Sequence, residues 1–93
     1  MNPTDKVYIV TRFYISASEY NTNGYTECEA FTEKENARKL FDKWKTEELK
    51  ERERLRCDYD VYTDNEEKFH CAWDSDLEMV FIILKEKTIN PAI

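Results

Sequence analysis

The chain has 93 residues, with 20 acidic against 14 basic side chains and a formal net charge of −6. That length suits one domain, residues 1–93, with a limited core, which the two Trp, six Tyr and five Phe are bulky enough to fill. The negative charge opposes direct contact with nucleic acid, the lone glycine Gly24 rules out glycine-rich phosphate loops, and the longest apolar run, Met79 to Leu84, is too short to cross a membrane.

Met1-Asn2-Pro3-Thr4-Asp5 lacks the basic-then-apolar pattern of a signal peptide. Three cysteines, Cys28, Cys57 and Cys71, are an odd number without framework spacing. The expectation is a cytoplasmic protein with reduced thiols.

Lys6 to Ser18 alternates in the manner of a strand and is rich in β-branched and aromatic residues. Asn23-Gly24 signals a two-residue hairpin turn, with Tyr25 to Phe31 as the return strand. The turn predicts Ser16 opposite Phe31 and Ala17 opposite Ala30. Thr32-Glu33-Lys34-Glu35 has the form of a capping box and opens a helix from Glu33 to Arg56, with Ala37, Leu40, Phe41 and Trp44 at helical spacing. The turns from Glu47 onward are mostly charged and are expected to project past the sheet, held by side-chain pairs such as Glu48–Arg52. Asp58 to Thr63 and Lys68 to Trp73 alternate as strands, separated by the polar turn Asp64-Asn65-Glu66-Glu67. Leu77 to Ile89 is apolar on both faces from Met79 to Leu84, which places it in the middle of the sheet. The expected architecture is α+β: an antiparallel five-stranded sheet with one helix packed on one face, in the order β-β-α-β-β-β.

The hairpin register gives the two faces different contents. Phe13, Ile15, Ala17, Cys28 and Ala30 form one face, small and apolar enough to sit beneath the helix. Tyr8, Tyr14, Tyr20, Tyr25 and Phe31 form the other, expected to lie free of the helix and to serve as an interaction face, since tyrosine combines an apolar body with a polar tip.

Chemistry has few footholds. His70 is the only histidine, and its neighbour Cys71 points to the opposite face of a strand. Cysteine and histidine spacings do not fit zinc. Asp58 and Asp60 begin like a calcium loop, but Tyr62 and Thr63 break the pattern. Asp58, Asp60, Asp64, Glu66, Glu67, Asp74, Asp76 and Glu78 crowd one segment that holds a single cation, Lys68; they read as an acidic patch on a solvated face, with no metal and no cofactor.

The function expected is that of a small acidic protein-interaction module without catalytic activity, of the kind seen among phage or mobile-element accessory proteins. Its partner would be another protein, a basic one being the better match, or a second copy. One alternative is a nucleic-acid mimic whose carboxylates block a basic groove on a nucleic-acid enzyme. Others are a small-ligand-binding protein, with His70, Asp58, Asp60 and Trp73 as its residues, or a structural homodimer.

Overall fold

The computed structural model describes residues 6–16 and 26–89. The elements run β1 (Lys6–Ser16), β2 (Thr26–Phe31), α1 (Lys34–Arg54), β3 (Tyr59–Asp64), β4 (Lys68–Trp73) and β5 (Glu78–Thr88). The strands form one antiparallel sheet in the order β2-β1-β5-β4-β3, and α1 packs mainly on β1, β5 and β2. This is the α+β fold expected from the alternation. β5 is the middle strand, as its two-sided apolarity requires. It pairs with β1 along its whole length, from Lys6 opposite Thr88 to Ser16 opposite Glu78.

The core lies between α1 and the sheet. Val10, Phe69, Cys71, Val80, Ile82 and Leu84 meet Ala37, Phe41 and Trp44 of the helix there, and all are buried. Tyr8, Tyr14 and Phe31 pack against this cluster. They therefore lie on the helix side, opposite to the face expected for them. The reason is the central strand. The even positions of β5 (Val80, Ile82, Leu84), beside Val10 of β1 and Phe69 of β4, make the continuous apolar surface that the helix needs. β1 must turn its even positions the same way. The contents of the hairpin alone do not decide this. Tyr20 and Tyr25 lie outside the described residues.

The hairpin register also differs. Phe31 lies opposite Tyr8, and the β1–β2 ladder ends at Phe13 opposite Thr26. The displacement from the expected pairing is an even number of residues, so face partners are kept. The register found brings Arg12 opposite Glu27, where the two side chains form an ion pair. The Asn23-Gly24 turn, Ala17 and Ser18 lie outside the described residues.

The helix N-cap is Glu33, with an extended backbone and no side-chain cap hydrogen bond. Thr32 stands one residue too early, so the Thr32–Glu35 box does not form. The C-terminus closes differently. Arg56 takes φ 53°, its N–H donates to Glu53 O at 3.1 Å, and the Cys57 N–H donates to Arg52 O at 3.2 Å. This is a Schellman ending with an arginine in the left-handed position that glycine usually fills.

Candidate functional site

The odd positions of β1 and β5 point away from the helix. Ile9, Phe13 and Ile15 stand there beside Met79, Phe81 and Ile83, all half-buried. A row of rings crosses four strands at the centre of this face. Phe13 lies opposite Phe81, and Phe81 opposite His70. The Phe13 and Phe81 centroids are 4.9 Å apart with planes 12° from parallel. His70 stacks on Phe81 at 4.0 Å and 16°. Tyr62, at the β3 irregularity between Val61 and Thr63, closes the row 5.3 Å from His70. A bulge at an edge strand is a common way to re-aim a side chain. Rings stacked across strands use their π-faces on one another and turn their rims outward. Such a row resembles half of a sheet-on-sheet core more than a platform for flat bases, which needs free ring faces.

Burial lowers the His70 imidazole below its ordinary 6.5, Lys68 lowers it further and Asp76 opposes both. Its Nε2 is buried and lacks a hydrogen-bond partner among the described residues. The Tyr62 hydroxyl donates to both carboxylate oxygens of Asp76, at 2.9 and 2.8 Å. That bond raises the phenol's pKa, with burial and the charges of Asp76 and Asp60 adding to it.

Charge is sorted along the strands. Lys68, Lys85 and Lys87 share this face toward one end, where Lys85 lies opposite Ile9 and Lys87 opposite Val7. Lys68 Nζ is 5.5 Å from the Phe81 ring centroid. Toward the other end stand Asp60, opposite Ala72, and Asp76, held by Tyr62.

The opposite side of the sheet contains a buried ionic cluster. Arg12 donates to Glu27 Oε1 at 2.6 Å, Glu47 Oε1 at 3.1 Å and Glu48 Oε2 at 3.1 Å. The Tyr14 hydroxyl donates to Glu48 Oε2, and Arg52 Nη1 lies 3.5 Å from Glu48 Oε1. Arg12 stands 4.7 Å over the Trp44 ring and Arg52 3.7 Å over Trp73. Glu48 is 4% and Arg52 6% exposed. The helix beyond Glu47 therefore does not project past the sheet as a charged tail; its inner face is buried. Burial pulls the Arg12 guanidinium down, but its carboxylate partners outweigh this and raise it. Burial and the bond to Glu48 raise the Tyr14 phenol. Every charge here has a countercharge inside the fold, which suits a structural role. A signal for it existed in the sequence: Glu48 and Arg52 continue the stripe Ala37, Phe41, Trp44 at helical spacing, and Arg12 is the one charge in the interior of an apolar strand.

The acidic residues do not make one patch. Asp64, Glu66 and Glu67 lie at the β3–β4 turn. Asp58, Asp74, Asp76 and Glu78 lie at the other end of those strands, roughly 15–20 Å away at strand spacing. Asp64 is paired with Lys45, Glu66 O accepts from Arg38, and Glu78 accepts from Ser16 at 2.7 Å. Among the described residues no group of three His, Cys, Asp or Glu side chains converges as metal ligands. His70 and Cys71 point to opposite faces, as strand geometry requires, and burial pushes the Cys71 thiol up to about 11. An open depression of about 480 Å³ is lined by Cys57, Asp58, Trp73, Asp74, Ser75 and Glu78. A groove of about 240 Å³ runs past Tyr8, Arg38 and Leu84, below the usual range for ligand pockets. No helix among the described residues is long and apolar enough to cross a membrane.

No family model, curated protein or solved structure matches this chain.

Proposed function

We propose that this chain is a small protein-interaction module without catalytic activity, and that it acts through the helix-free face of its sheet. The carrying observation is the ring row Phe13–Phe81–His70–Tyr62, flanked by Ile9, Ile15, Met79 and Ile83, on a face turned away from α1, the one helix among the described residues. A contiguous apolar face of this kind is larger than scattered surface residues account for. Catalysis has less support. His70 has its ring faces against Phe81 and toward Tyr62 rather than beside a nucleophile, and the Cys71 thiol is buried and protonated at neutral pH. The nucleic-acid-mimic reading is weaker than the face reading, because the carboxylates divide between two ends of the strands and several serve internal partners.

A photo-crosslinking amino acid at position 83, with the same probe at Lys39 on the exposed side of α1 as control, tests this inside cells. The reading expects a polypeptide adduct at 83 and none at 39. No adduct at 83 contradicts it.

A further inference from the structure

Building on that interaction reading, we infer that the occupant of the helix-free face is a second copy of this chain, packed face to face with its strands antiparallel to the first. Two observations select this partner. The first is the charge order along the face. Lys68, Lys85 and Lys87 mark one end, Asp60 and Asp76 the other, and the ring row runs between them.

A twofold axis lying along the ring row, perpendicular to the strands, sets the lysine end of each copy over the aspartate end of the other. Lys68 then lies over Ala72 of the partner subunit, with the partner's Asp60 one strand to the side, about 4.8 Å away and within reach of the lysine stem, and Ile83 faces the partner's Met79. An axis along the strands would instead stack lysines on lysines, which like-charge repulsion disfavours. The self-complementary arrangement is the isologous kind that closes a dimer. The outward ring rims and branched aliphatic side chains suit the interdigitation of aligned sheets stacked about 10 Å apart.

The second observation is size. The face reaches from Val7 and Lys87 to Ile15 and Met79 across five strands, which at about 3.3 Å per residue and 4.8 Å per strand is on the order of 500 Å². Two such faces bury on the order of 1,000 Å² together, at the lower bound for a specific interface. The dimer is therefore weak and reversible, with a dissociation constant on the order of 1–100 μM.

Sedimentation of the purified full chain from about 1 to 500 μM tests this. A monomer–dimer equilibrium is expected. Lys68→Glu and Asp60→Lys should each weaken it about tenfold or more, because each contact occurs twice by symmetry. The double variant should recover to within about threefold of the parent. Circular dichroism and urea unfolding of each variant verify that it folds, and Lys85→Glu, whose side chain is exposed, repeats the test should Lys68→Glu fold poorly. A chain that stays monomeric throughout overturns the proposal, as does a double variant no tighter than the single ones. Alkylation of Cys28, exposed and on this face, separates the ways of failing. Slower labelling at high concentration supports the second copy. Protection that does not change on dilution means that the chain's own segment, such as residues 17–25, lies on the face, and this too overturns it. A monomeric chain that still crosslinks another protein at position 83 removes the second copy and leaves the interaction reading standing.

Discussion

The two faces of this sheet handle polarity in opposite ways. On the helix side, charge is taken inside. Arg12, Arg52 and Glu48 are buried, each has a countercharge, and the guanidinium groups lie over Trp44 and Trp73. On the helix-free side, apolar groups are left half-buried, and the charges stand toward the ends of the strands. A buried ion pair adds little net stability over apolar packing, but removing one member is costly. An apolar face without a cover costs solubility, and covering it releases free energy in proportion to area. The first face is therefore closed by the helix, and the second has no covering element among the described residues.

The largest effect expected is on the closed face. Glu48→Ala strips both arginines of a shared carboxylate and should cost about 3–5 kcal/mol in urea unfolding, with no specific effect on association at concentrations where the variant is folded. Ile83→Asp should do the reverse. It should abolish dimerisation in the sedimentation assay while lowering monomer stability by about 1 kcal/mol. If both variants changed folding and association alike, the contrast between the faces would be lost.

A smaller effect lies outside both faces. Arg56→Gly relieves a left-handed backbone at the helix end and should add about 1 kcal/mol, or roughly 4–8 °C in melting temperature for a domain of this size. It should leave association unchanged, which makes it a control for stability alone.

The smallest effect is that of pH on the open face. The fold holds His70 neutral, with a pKa below 6.5, while Phe81, Tyr62, Lys68 and Asp76 surround it. Its contribution is fully present above pH 6.5 and is lost as pH falls through the lowered value, because the unfolded chain takes up the proton first. Stability of the parent should therefore drop over that interval relative to His70→Gln, whose profile lacks this step.

Much of the fold was legible because alternation and its breaks are local. β4 spans the residues expected of it, and β5 announced its central place by being apolar on both faces. What the sequence left hidden depended on distant partners. Which face of β1 meets the helix is decided by β5, more than sixty residues away along the chain. Judged within its own hairpin, Phe13 looked like core and Tyr14 like surface, and the two exchange roles. Glu48 and Arg52 looked like a solvated tail because charge was weighed above spacing, although their positions continue the buried stripe of α1. The acidic segment looked continuous in the chain, but antiparallel folding sends its carboxylates to opposite ends of the strands. The ring row could not be read at all, since it needs the register of four strands and the β3 irregularity that aims Tyr62.

The most direct measurement is an isotope-filtered NOE experiment on a mixture of labelled and unlabelled full-length chains. Intermolecular contacts are expected between the Ile83 methyl groups of one copy and the Met79 methyl group of the other, fading on dilution. Contacts from Ile83 to Ile83 without Met79, or no intermolecular contacts at about 500 μM, above the upper end of the expected range of the dissociation constant, would contradict the face-to-face dimer.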